Sequence, residues 1–358
     1  MKLFKKILAA TLAVLTVFSL AACHPKDEVA VTIGDYEFTS AYYMCAFIFA
    51  DMEAQQKAYD LVMSGEVKDI DVTEEDYLYD VKIDGKEYET WVKDKAIDTL
   101  KTIAAYKTLC DKAGVKISAG DKAGAEELAK QEWNQYYKET LYNNGVHEST
   151  YIKYRVDDYY SELYFDHLYT KGGEKEVSAE EIKKHLNENY VLCNVIGEDL
   201  SQLEDAQKTE KKNKINDLYK ELTSGKSFTE VYKAYKNITD DKKTETTDSK
   251  EPKPKDEYAS FVSKENGGDH FDSIKAMQTG EIKILNGKDD SDILLVVKKD
   301  VNEDPYYLEE YDLQFRHELK DEEFADIVAK CKKGLKIDID SYATDRFDVE
   351  DIVYPAAE

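Results

Sequence analysis

The chain has 358 residues, with 49 Lys and Arg against 75 Asp and Glu and a formal net charge of −26. That balance argues against a nucleic-acid binder, whose phosphates need basic partners, and keeps the body of the chain off an anionic membrane surface. An apolar fraction of 42 %, including 27 Tyr, is enough for a packed core in one or two domains.

Lys2, Lys5 and Lys6 precede an apolar run from Ile7 to Leu20, closed by Ala21-Ala22-Cys23. A basic head, an apolar stretch and small residues at a cut site predict a secretory signal over residues 1–22. Small residues ending in Cys match a bacterial lipobox. Cys23 is therefore expected to take a diacylglycerol and further fatty chains of the palmitate kind, and to become the new N-terminus. Each buried methylene contributes roughly 0.8 kcal/mol, so two or more chains anchor stably where one does not. The expected location is the outer face of the cell membrane, and loss of the three leader lysines leaves a mature net charge of −29. No later run is apolar and long enough to span a bilayer.

Residues 23–28 read as a tether. Val29–Ile33, the turn Gly34-Asp35 and Tyr36–Phe38 predict a hairpin. Thr39 can cap a helix over 40–63, with Tyr43, Phe47, Ala50 and Ala54 at helical spacing. Residues 64–87 mix turns and short helix, including the cap-like Thr73-Glu74-Glu75-Asp76. A strong helix over 88–113 ends at Gly114. Another starts at Ser118 and runs through Leu128, Trp133, Tyr137 and Leu141 to Asn144-Gly145, and a third covers 149–170.

Ser178-Ala179-Glu180-Glu181 is a capping box opening a helix to Asn189, and Tyr190–Ile196 is a β-type run. A charged helix over 203–224 and a second from Ser227 to Lys236 follow. Residues 237–257 are rich in Asp, Lys and Thr with Pro252 and Pro254, and read as a mobile loop. Then come an extended Tyr258–Val262, a helix at Phe271–Met277, the turn Gln278–Glu281 and a strand Ile293–Val297. Pro305 begins a last helical segment with Phe324, Ile327, Val328 and Cys331 on one face.

Cys45, Cys110, Cys193 and Cys331 are widely spaced with no C-x-x-C pair, so buried free thiols are expected, with one or two disulfides left open. His317-Glu318 lacks the second His of H-E-x-x-H, and the six His are scattered; neither a metal nor a cofactor is expected. Tyr136, Tyr137, Tyr154, Tyr160 and Tyr164 crowd the end of the helical part. Amphipathic rings of this kind either line a groove for unfolded segments or simply pack helices.

The order of these pieces resembles the PrsA/SurA-type foldases, exported chaperones with a parvulin peptidyl-prolyl isomerase domain. Val29-Ala30-Val31-Thr32-Ile33-Gly34-Asp35-Tyr36 is similar to that family's opening strand-turn-strand. Ser178–Tyr190 is similar to the helix before the parvulin domain. Leu218, Gly225, Ser227 and Phe228 fit its helix turn, and Phe271, Met277, Gly280, Glu281 and Ile282 fit its later segment. The lipobox points to the PrsA side.

The resemblance implies an α+β chain: a mostly helical chaperone module over 29–175, a parvulin-like α/β domain over 176–301, and a C-terminal helical segment over 302–358 packing back on the first module. It also exposes departures. The family's first-strand His is replaced by Asn194, next to Cys193, and Ile293 stands where the last-strand His would fall. Gly267-Gly268-Asp269 looks like a family glycine motif but lies too near Gly280, and reads as a loop.

The implied pocket is a degenerate one of Cys193, Asn194, Phe261, Phe271, Met277 and Ile293. The expected activity is binding of unfolded, newly exported polypeptides with an inactive isomerase domain. Two alternatives stay open: a divergent active isomerase, and a ligand-binding lipoprotein of an uptake system. The sequence does not fix the oligomeric state.

Overall fold

Residues 28–67, 70, 77–238 and 253–355 are described in a computed structural model of the chain. The signal segment, Cys23, the tether up to residue 27, Thr73–Asp76 and the centre of the acidic loop lie outside the described residues. The fold is mixed α+β, with two small antiparallel sheets among many helices.

β1 (Val29–Ile33) and β2 (Tyr36–Thr39) form the expected hairpin around Gly34, whose φ of +60° suits glycine. The Thr39 hydroxyl accepts the Tyr42 N–H and opens the helix Ser40–Met63. Every residue from Ser40 to Ile48 is buried, so the first part of this helix runs through a core, and its later turns reach the surface at Tyr59 and Met63. It packs against Tyr88–Ala113, which ends at a left-handed Gly114.

The helix expected from Ser118 to Leu141 is interrupted. Ala119–Glu132 gives way to a π turn at Trp133–Tyr137 and then Lys138–Asn143. The helix expected over 149–170 is likewise split, into Glu148–Asp158 and Tyr160–Tyr169.

Ala179–Asn189 starts on the predicted capping box, with Ser178 and Glu181 each accepting the other's backbone N–H. β3 (Tyr190–Asp199) leads to the helices Asp205–Thr223 and Phe228–Lys236. Then come β4 (Ala259–Ser263), the short helix Phe271–Lys275, β5 (Ile282–Asn286) and β6 (Asp292–Lys299). The four strands are antiparallel in the order β4-β3-β6-β5. Tyr306–Glu310 and Asp312–Gly334 follow, and β7 (Ile337–Ile339) returns to pair with β1.

Contacts divide the chain into two units: residues up to 168 with those from 322 on, and residues 169–321. The boundary expected at residue 302 therefore falls differently. Residues 302–321 join the second unit because Tyr307, Tyr311 and Phe315 pack on Phe261, at ring-centroid distances of 4.8, 4.9 and 6.5 Å. Arg316, buried there, donates to the carbonyls of Tyr169 and Val177 and to the Asp312 carboxylate. The guanidinium fork thus satisfies two buried carbonyls while its other side grips a carboxylate. In the first unit Phe324 packs on Tyr106, Tyr164 and Phe165. Phe347 packs on Tyr43 at 5.8 Å.

Candidate functional site

The sheet of the second unit has two covered faces. Residues alternate between them along each strand, and directly paired residues share one. Val191 and Cys193 of β3 and Val296 of β6 pack on Phe271, Ile274 and Met277. Ile196, Ile293 and Leu295 pack on the other side, against Ile215, Leu218, Leu222 and Val231 of the two helices. Asn194 is two residues from Ile196 and shares its face. Phe261 pairs with Leu192, so it lies on that face too.

The six residues expected to form one pocket are therefore separated. Cys193, Phe271 and Met277 are on one side of the sheet; Asn194, Phe261 and Ile293 are on the other. The reason is the two-residue period of a strand, which sends neighbours Cys193 and Asn194 to opposite faces. The pairing of Asn194 with Ile293 also fails. Asn194 stands opposite Val297, and Ile293 opposite Glu198, four residues along the strand. At about 3.3 Å per residue that is roughly 13 Å.

Asn194 is fully buried. Its Nδ2 donates to Asp256 Oδ2 at 3.1 Å, and Lys299 Nζ reaches the same oxygen at 3.0 Å. The Asn194 Oδ1 is buried with no donor among the described residues. Partial burial pushes the Asp256 carboxyl up, but Lys299, Asn194 and the Tyr258 N–H outweigh it, and the acid is held below its ordinary value. Asp256, within the stretch 237–257 expected to be a mobile loop, is thus fixed on the strand position where the resemblance expects a His. Composition alone gave no sign of this, since Asp256 follows a polar, proline-bearing stretch.

Cys193 is fully buried, and its pKa is pushed up to about 11 by burial, against the pull of Lys298. A thiol held this high is neither a nucleophile nor a base near neutrality. An imidazole does lie beside the sheet: His270 Nε2 is 2.8 Å from Asp292 Oδ2. Asp292 pairs with Asp199, whereas Cys193 pairs with Lys298, so the pair is six residues along the strand from Cys193.

A second polar group was not visible in the sequence. Glu318 accepts from Tyr190 Oη and from Gln314 Nε2, and lies 2.5 Å from His185 Nε2. Tyr190 in turn stacks on Phe261 at 4.7 Å. Helical spacing relates Gln314 to Glu318, but nothing local marks residues more than a hundred positions apart as neighbours.

In the first unit the tyrosine candidates have different fates. Tyr154 is buried, 5.5 Å from Tyr42 and 5.6 Å from Phe49. Tyr137 packs edge-on against Phe49 at 5.1 Å and beside Tyr151 at 5.5 Å. Tyr154 is therefore a core residue, and Tyr137 is half-buried with its ring packed against that core. Tyr160 and Tyr164 are half-buried, the latter against Phe324. Tyr136, on the π turn, is 65 % exposed and Tyr142 60 %. They line an open groove of about 490 Å³ with Asn134, Gln135, Lys138 and Pro355. π turns recur at functional positions because the extra residue re-aims the side chains after it.

Among the described residues no helix is long and apolar enough to cross a membrane. No protein-family model matches the chain, and no curated protein matches it. Solved structures of PrsA foldases are similar to it. The foldase PrsA of Lactococcus lactis has 12 % identity and a TM-score of 0.38, over 88 % of this chain and 96 % of that one. The foldase PrsA of Streptococcus pneumoniae has 13 % identity and a TM-score of 0.36, over 66 % and 82 %. The peptidylprolyl isomerase PrsA of Bacillus anthracis has 18 % identity and a TM-score of 0.25, over 66 % and 94 %. Likeness at these scores carries no weight for function, which has to be argued from the chain's own residues.

Proposed function

We propose that this chain is an extracytoplasmic, lipid-anchored chaperone of the foldase kind, whose second unit does not catalyse proline isomerisation. The client is a non-native exported polypeptide. The anchor is the Cys23 thioether inferred from the lipobox. The sequence resemblance supports the foldase class, and the arrangement around Asn194 supports the loss of catalysis.

The carrying observation is the Asn194 carboxamide, locked to Asp256 with Val297 facing it. Isomerisation must lower a barrier of about 20 kcal/mol by desolvating and twisting an amide. That needs an open apolar slot with polar groups on its floor. In this chain the floor position is buried beneath Asp256 and Lys299, and the neighbouring thiol of Cys193 is on the opposite face. An active isomerase built on Cys193 and Asn194 together is thus disfavoured by the strand itself.

Two assays on the mature chain test this reading. Aggregation of a chemically unfolded client should be suppressed, and refolding limited by a prolyl bond should keep its uncatalysed rate. Clear acceleration of that refolding would show the second unit to be an enzyme. Failure to suppress aggregation would remove the chaperone reading. Labelling with radioactive fatty acid, lost in Cys23→Ala, tests the anchor separately.

A further inference from the structure

We infer that the open edge of β7 docks an extended, basic segment of a non-native polypeptide. This rests on the client-binding reading and names a surface that would serve it.

In the β1–β7 pair Val31 faces Ile339, Thr32 faces Asp338 and Ile33 faces Ile337. On either side the Asp340 N–H donates to the Ala30 carbonyl and the Gly34 N–H to the Lys336 carbonyl, both at 2.9 Å. Antiparallel ladders alternate, so residues 336, 338 and 340 turn their backbone groups toward β1. Ile337 and Ile339 turn theirs away. The sheet order is β2-β1-β7, and among the described residues no strand pairs with β7 on that outer side.

The side chains agree with the backbone. Val31 and Ile33 are fully buried, yet their partners Ile339 and Ile337 are 42 % and 38 % exposed. The apolar face of the sheet therefore runs on past its last strand. A chain laid along this edge would find backbone donors and acceptors at Ile337 and Ile339. Its alternate side chains would cover the two isoleucines.

Charge selects the occupant. From residue 336 to 351 the chain carries Asp338, Asp340, Asp345, Asp348, Glu350 and Asp351 against Lys336 and Arg346. A second copy offering the same edge would set Asp338 beside its equivalent, in a body already at −26. A segment alternating apolar residues with Lys or Arg meets both features of the edge.

The test titrates the full chain into a fluorescent peptide of alternating Val and Lys, read by anisotropy. Ile339→Pro deletes an outward N–H without touching the β1 ladder. The double variant Ile337→Thr, Ile339→Thr keeps β-branching but replaces apolar contact. The proline variant is expected to weaken binding about tenfold, the worth of an edge hydrogen bond, and the double variant at least tenfold, through two weakened apolar contacts. Equal affinity of wild type and the double variant overturns the proposal, even if the proline variant misfolds. So does a dimer in sedimentation that the double variant abolishes while peptide binding is absent. If aggregation of a denatured client is suppressed equally by wild type and double variant and no peptide binds, the edge fails while the client-binding reading stands. If the wild type suppresses no aggregation, that reading fails and takes the edge with it.

Discussion

Asn194 lies directly across the β3–β6 pair from Val297, and its carboxamide is tied to Asp256 at 3.1 Å. A buried amide with one bonded and one unbonded end is a structural commitment, since a small replacement leaves a void and takes from Asp256 Oδ2 one of its two donors, with only Lys299 remaining. Asn194→Ala is expected to destabilise the second unit by about 2 kcal/mol. Urea unfolding measures this, and any prolyl isomerase rate should be indifferent to the change. A catalytic rate that vanishes with Asn194 would contradict a purely structural role for this amide.

Asp51 is fully buried and accepts from Tyr88 Oη, Tyr354 Oη and Gln55 Nε2 at 2.9, 2.6 and 2.7 Å. Burial raises its pKa although the three donors pull the other way. The folded state therefore binds a proton more tightly than the unfolded one. Its contribution to stability is greatest at low pH and declines as pH rises from the ordinary 3.8 through the raised value. Asp51→Ala should cost about 2 kcal/mol, since it removes the shared acceptor of Tyr88, Tyr354 and Gln55 and leaves Tyr88 Oη only the backbone carbonyl of residue 51. It should also remove that descending limb from a plot of stability against pH.

Glu318 has the opposite sign. Partial burial raises its pKa, but Tyr190, His185 and Gln314 more than compensate and the net shift is downward. Its stabilisation is present above the ordinary 4.5 and fades as pH falls through the lowered folded value. Glu318→Gln should flatten the acid side of the second unit's unfolding curve below pH 4.5. An unchanged acid limb would mean that the His185, Tyr190 and Gln314 contacts contribute nothing.

The thiols give a chemical test of burial. Cys45, Cys110 and Cys193 are buried and Cys331 is half-buried. Burial raises the thiol pKa of all four, Cys110 to about 12 and Cys193 to about 11. With iodoacetamide near pH 8, Cys331 should react first and Cys193 only on unfolding. Mass spectrometry of time points would reverse this order if Cys193 lined an open pocket.

Local chemistry made parts of this fold legible. The box at Ser178/Glu181, the helix start at Ser227, the Gly34 hairpin and the Gly114 stop all act within a few residues, and each stands where the sequence predicts. What escaped depends on distant partners. β7 has three residues and no periodicity to read; it is a strand only because β1 offers an edge. The π turn at Trp133–Tyr137 has no sequence signature that separates it from ordinary helix. The supposed pocket failed for a different reason, because Cys193 and Asn194 were read together where strand alternation already set them apart.

The position of β1 between β2 and β7 has a consequence for how the polypeptide matures. One flank is supplied immediately, by a strand that begins after a two-residue turn, and the other only after about three hundred further residues have been made. Tyr354 and Phe347, which reach Asp51 and Tyr43, arrive later still. The whole of residues 169–321 can finish its own sheet while the earlier part is waiting. A nascent chain halted before Ile337 would thus hold an aromatic-rich interior without its closing strand, and would itself need the kind of protection proposed for the finished molecule.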